Sequence, residues 1–185
     1  MRRDLESHLF FAALAVLAVA LAAGGPGPLV ALAFQRDAIL RGEAWRLLTA
    51  HLVHLSGPHL AWNLAGLALP WLVFARRLRA SAWAAVALSA GLASSLALLM
   101  FHAEVRAMAG LSAVVHGLMA AGGVAEVRRG QRLAWLFLAA LAAKLVLEQL
   151  HGSLAAGFLG GAIAVDAHLY AAVAGALVGL ALRPS

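Results

Sequence analysis

Hydrophobic residues in this chain fall into long blocks, separated by short stretches in which arginine, glycine and proline collect. Leucine and alanine dominate the blocks, and the strict two-residue alternation of a membrane β-barrel is absent. A bilayer core about 30 Å thick takes a helix of about 20 apolar residues, and helices satisfy their own backbone groups in lipid. The pattern therefore predicts an all-α, polytopic membrane protein, a six-helix bundle with spans at about 9–23, 59–74, 82–101, 111–125, 133–150 and 166–182. One membrane domain covering 1–185 leaves room for short loops but for no sizeable soluble domain. Any chemistry must then take place in or beside the bilayer. Met1-Arg2-Arg3 and the apolar block after it resemble a signal peptide, but the block is long and further spans follow, so an uncleaved first helix is expected.

The hydrophobic share of 64% lies well above the roughly 45–50% of soluble domains, which agrees with this pattern. Position gives the net charge of +6 its meaning. Arg2 and Arg3, Arg76, Arg77 and Arg79, Arg128, Arg129 and Arg132, and Arg183 all fall on the side shared by the two termini, which the positive-inside rule makes cytoplasmic. On the other side Arg36, Arg41 and Arg46 stand beside Asp37 and Glu43, and Arg106 near Glu104, which weakens the contrast without reversing it. These short basic clusters lack the stacking aromatics of a nucleic-acid surface, so no nucleic-acid partner is expected. The absence of cysteine excludes disulfides and thiolate metal sites. The first outer loop, 24–58, is too long for a simple connection, and its stretch Ala44-Trp45-Arg46-Leu47-Leu48 suits the membrane interface.

Alternating topology brings polar residues from three spans to outer helix ends: His59 and Asn63, Ser112, and His168. Polar groups at that depth are expensive. A serine there is ordinarily a backbone-bonded cap. Ser112, however, follows Gly110-Leu111 at the start of a short span, where glycine permits a tight turn and the helix N-terminus favours developing negative charge. With His168 at equal depth, a serine nucleophile and a neutral general base are both available. Asp166 is only two residues from His168 and faces elsewhere on a helix, so the sequence predicts a dyad, with Asp166 as a helix cap. His116, one turn after Ser112, can pack on the His168 ring and fix its orientation, or equally be an ordinary core residue. His59 and Asn63 share a helix face and, with the Ser112 backbone N–H, can donate to an oxyanion; they can equally be polar contacts between helices. His54 reads as a structural hydrogen-bonding group. Lys144 and Glu148 are four apart in the fifth span and read as a structural ion pair, with contact to substrate as the alternative. Ala171, Gly175 and Gly179 continue the His168 face as a small-residue stripe, suited to a closely packed neighbour helix. Tyr170 has no assignment from sequence.

Trp45-Arg46, His54 with His59 and Asn63, Gly110-Leu111-Ser112, and Ala167-His168 followed by Ala171 and Gly175 together resemble the rhomboid family of intramembrane serine proteases. That resemblance implies Ser112 as nucleophile, His168 as base, His59 and Asn63 as oxyanion donors, and peptide-bond hydrolysis in a transmembrane protein substrate without metal or other cofactor. Ala171 stands where the family often has glycine, and Ala113 replaces a frequent glycine after the serine. The run from Ser112 to Gly117 with its His116, the Lys144 and Glu148-Gln149 positions, and the short chain are similar to the rhombosortase branch. This finer likeness implies cleavage of C-terminal Gly-Gly-type sorting tails of exported proteins, in a bacterial inner membrane, with the site opening to the periplasm.

Two other readings compete. A rhomboid-like pseudoprotease would bind membrane clients without cutting them. Alternatively, the eight histidines would ligate haem or a metal. Most of these histidines are expected at outer helix ends or in loops, a poor match to haem ligation in the membrane interior.

Overall fold

The computed structural model describes residues 2–153 and 164–182; Met1 and Arg183 lie outside them. The long helices are α1 (Arg2–Ala23), α5 (Gly57–Phe74), α6 (Ala80–Phe101), α7 (Ser112–Arg128), α8 (Leu133–His151) and α9 (Val165–Ala181). Each overlaps a predicted span. α1 starts at Arg2 because the polar residues ahead of the apolar block continue the helix, with Arg2 and Glu6 paired one turn apart. Pro58 stands in the first turn of α5, where its missing N–H removes no helical bond, and Ser56 caps that helix by accepting the His59 N–H at 3.2 Å. Segments Asp4–Ala23, Ala80–Phe101 and Leu133–His151 are long and apolar enough on their own to cross a membrane. Val165–Ala181 is apolar but shorter.

Helix α7 runs through the middle of the bundle. Nearly every residue from Ala113 to Glu126 is buried, against α5, α6, α8 and α9. Its partner across the tightest contact is α9: a Cβ on Gly175 would fall on the backbone of Gly117, and one on Gly179 would lie 3.0 Å from Ala121 Cα. The small-residue stripe predicted from sequence thus has its close neighbour. Phe11, Leu67, Trp83, Leu111 and Leu118 fill the space among α1, α5, α6 and α7.

The first loop is folded rather than slack. It contains α2 (Pro26–Leu32), β1 (Phe34–Gln35), α3 (Arg36–Leu40), α4 (Arg46–Thr49) and a 3₁₀ turn at Ala50–Leu52. β1 pairs antiparallel with β2 (Ala107–Met108), matching Phe34 with Met108 and Gln35 with Ala107. Two arginines hold the loop. Arg46 is buried, paired with Glu43 at 2.7 Å and bonded to the carbonyls of Val30 and Ala33 at 3.0 and 2.8 Å. Arg36, also buried, donates to the carbonyls of Leu98, Leu99 and His102, satisfying the C-terminal end of α6. Arg106 pairs with Asp37 at 3.2 Å. Arg36, Arg46 and Arg106 are therefore occupied in local structure.

At the opposite end, Arg77 pairs with the buried Glu126, and Arg128 donates to the carbonyls of Gly179 and Leu182 at the end of α9.

Because Gly175 meets backbone rather than a movable side chain, Gly175→Val is expected to destabilise the protein by at least about 1–3 kcal/mol, the usual range for overpacking. Thermal unfolding in detergent checks this, with Leu177→Ala on the exposed side of α9 as the tolerated control.

Candidate functional site

Three helix ends converge on one point. Ser112 is the first residue of α7, His168 lies in the first turn of α9, and Glu148 lies in the last turn of α8. His168 Nε2 is 2.8 Å from Ser112 Oγ, and His168 Nδ1 is 2.9 Å from Glu148 Oε2. An ionised carboxylate only accepts, so Nδ1 carries the ring proton and Nε2 is left to accept the serine O–H. The other oxygen of Glu148 meets Lys144 Nζ at 2.7 Å. The predicted Lys144–Glu148 ion pair is present. The sequence places no carboxylate clearly beside His168; in the structure Glu148 reaches it from a different helix, a relation that spacing in the chain does not reveal.

His116 stacks on His168, with ring centroids 4.3 Å apart and planes 15° from parallel. Its Nδ1 donates to the Ser112 carbonyl at 2.7 Å, one turn back along α7. The His168 ring is thus held on one face by an imidazole and at both edges by hydrogen bonds.

Gly110 sets the approach to Ser112. Its φ of +124° is a conformation that favours glycine, and a Cβ there would lie 2.7 and 2.8 Å from His59 Cε1 and Nε2. The His59 ring and the Asn63 amide nitrogen therefore lie beside the turn that delivers Ser112, as their shared helix face predicted. Asn63 Nδ2 also donates to the His59 carbonyl at 2.9 Å, which leaves its second N–H free to serve another acceptor. The first N–H groups of α7, that of Ser112 among them, have no intrahelical partner. His54 accepts the Leu111 N–H at 3.4 Å and packs edge-on against His59. Burial, and secondarily His59, push its pKa down to about 4, so it remains a neutral acceptor that fixes the turn.

A cavity of about 390 Å³ opens onto Ser112 and His59. Its other walls include Val30 and Gln35 from the first loop, Met108 from β2 and Ala167 from α9. Asp166 makes no helix cap; it sits in the first turn of α9 with its carboxylate 3.5 Å from His102. Tyr170 meets the same histidine at 3.2 Å, so this pair of residues ties α9 to the end of α6.

His116, Glu148 and His168 also offer ligand atoms within 4.8 Å of one another. The two imidazoles are stacked in parallel, so their in-plane lone pairs run side by side instead of converging on one ion, and both His168 nitrogens already have partners. The geometry suits proton transfer better than metal ligation.

A hydroxyl bonded to an oriented imidazole, built at the ends of apolar helices and facing a cavity, fits the class of membrane-embedded hydrolases. Residues 41–185 match the Rhomboid domain, and the chain belongs to the rhomboid family of intramembrane proteases, which act on membrane-protein substrates. A comparison with curated proteins finds no match to this chain.

Reaction of the purified protein with a fluorophosphonate is expected to be unchanged by EDTA. Loss of reaction on chelation, restored by zinc, would instead assign the histidine cluster to a metal.

Proposed function

We propose that this protein is an intramembrane serine protease that uses Ser112 and His168, with six membrane crossings and both termini in the cytoplasm. The observation that carries the reading is the 2.8 Å contact between His168 Nε2 and Ser112 Oγ beside an open cavity. Ser112 Oγ attacks the scissile carbonyl while His168 takes its proton. His59, Asn63 and the Ser112 N–H donate to the oxyanion, aided by the positive end of α7. His168 then delivers the proton to the leaving amine. In deacylation His168 takes a proton from water as the water oxygen attacks the ester carbonyl, and then delivers that proton to Ser112 Oγ as the bond to the acyl group breaks.

The substrate proposed is a transmembrane protein, specifically the C-terminal Gly-Gly-type sorting tail of an exported protein in a bacterial inner membrane. Support for this finer assignment comes from the rhombosortase-like residues His116, Lys144 and Glu148-Gln149. Alanines at 33, 107, 109, 113, 164 and 167 around the cavity suit a small-residue segment, whose backbone carbonyl is readily reached. The pseudoprotease alternative gains nothing from a site in which serine and histidine are already joined.

A fluorophosphonate is expected to label wild type and to leave Ser112→Ala and His168→Ala unlabelled, both variants remaining folded by thermal unfolding. Labelling of Ser112→Ala equal to wild type would overturn the assignment. Asn63→Ala is expected to lower cleavage of a Gly-Gly-tailed membrane substrate by about 10²–10³-fold, the usual effect of removing one oxyanion donor, as measured by product formation at saturating substrate.

A further inference from the structure

Lys144 is the only lysine in the chain, and it lies with Glu148 toward the C-terminal end of α8, whose other residues are apolar except Gln149 and His151. Placing two charges there is expensive, and a structural ion pair would account for both if Glu148 served Lys144 alone. Glu148 does more. Oε1 takes the Lys144 ammonium at 2.7 Å, while Oε2 turns inward to His168 Nδ1 at 2.9 Å. The side chains of Glu148 and His168 are only 12% and 5% exposed, whereas that of Lys144 is 47% exposed. The pair thus runs from the bundle surface to the imidazole beside Ser112. The stack of His116 against His168 fixes the plane of the ring but leaves it free to carry its proton on either nitrogen. Only the contact at Nδ1 selects the tautomer.

We propose that Glu148 is a positioning residue for the reaction, the third member of a Ser112–His168–Glu148 series, with Lys144 as its counter-ion. The inference rests on Ser112 and His168 being the reacting pair. Glu148 holds the Nδ1 proton in place, so that Nε2 stays free to accept from Ser112. It also lies beside the positive charge that the ring acquires when the serine proton is transferred. The proton stays on the imidazole, and the carboxylate is not a proton acceptor in the cycle. Lys144 offsets the carboxylate's charge and prevents it from rotating away.

Fluorophosphonate inactivation kinetics test this without requiring a natural substrate. Glu148→Gln is expected to lower the maximal inactivation rate by at least about 100-fold with little change in the half-saturating probe concentration, and Glu148→Asp to recover part of the loss. Because Glu148→Gln also leaves Lys144 unpaired, the deciding variant is Lys144→Met/Glu148→Gln, which removes both charges. If Glu148 acts through His168, the double variant regains thermal stability but remains slow. A double variant, or a folded Glu148→Gln, that reacts at the wild-type rate would reduce Glu148 to an ion-pair partner and overturn the inference, while Ser112 labelling still stood. Failure of the wild type to label would remove the reading beneath it as well.

Discussion

A side chain at Gly175 would collide with the backbone of Gly117, so α7 and α9 meet backbone against backbone. Ser112 is five residues before Gly117 and His168 seven before Gly175. At about 1.5 Å per residue, both lie within two turns or so of the contact. The helix separation fixed by the glycines is therefore inherited by the hydroxyl and the imidazole with little room for drift. In lipid this is the available means of control, because apolar burial gives no net drive between helices and close van der Waals packing supplies the association. Ala171, which keeps a small residue nearest the histidine, extends the same seam and is fully buried.

The seam fixes distance but not orientation, and orientation comes from polar groups that an apolar bundle would otherwise exclude. Four buried or half-buried polar groups near the site are tied to a backbone carbonyl or to an opposite charge: Arg36 to the end of α6, Arg46 to Glu43 and the first loop, His116 to the Ser112 carbonyl, and Glu148 to both Lys144 and His168. Left unpaired in so apolar a setting, any of these groups would carry a desolvation penalty of several kcal/mol. The bonds they make instead lock loop against helix and ring against carboxylate. Stability and alignment of the site thus depend on the same contacts.

How far the sequence reveals this follows from the range of each interaction. Helix spans are legible because hydropathy is local: the predicted and observed ends of α5 coincide at Phe74 and those of α6 at Phe101. Gly110-Leu111-Ser112 and the His59/Asn63 face are legible for a similar reason, as a turn and an i,i+4 relation each lie within one segment. Glu148 is not. Its link to His168 joins two helices across twenty residues, while its link to Lys144 is local and offers a sufficient explanation of its presence. The tie of Asp166 and Tyr170 to His102 is hidden by the same distance, and the helix-cap expectation for Asp166 fails because no side-chain cap forms there. The fold inside the first loop is equally obscure, since its short helices are set by Arg46 and Arg36 reaching distant carbonyls rather than by any periodicity.

That loop bears on chemistry as well as architecture. Val30 and Gln35 line the cavity that opens onto Ser112, and β1 carries Gln35 alongside Ala107, a few residues before the Gly110 turn. Arg46 binds the carbonyls of Val30 and Ala33, and Trp45 donates to Ala31. The Trp45-Arg46 pair therefore shapes a wall of the cavity without touching Ser112. The serine side of the cavity is set by helix packing, whereas the opposite wall is held by arginine bonds to loop carbonyls, by the β1–β2 pair and by the packing of Phe34 and Ala33.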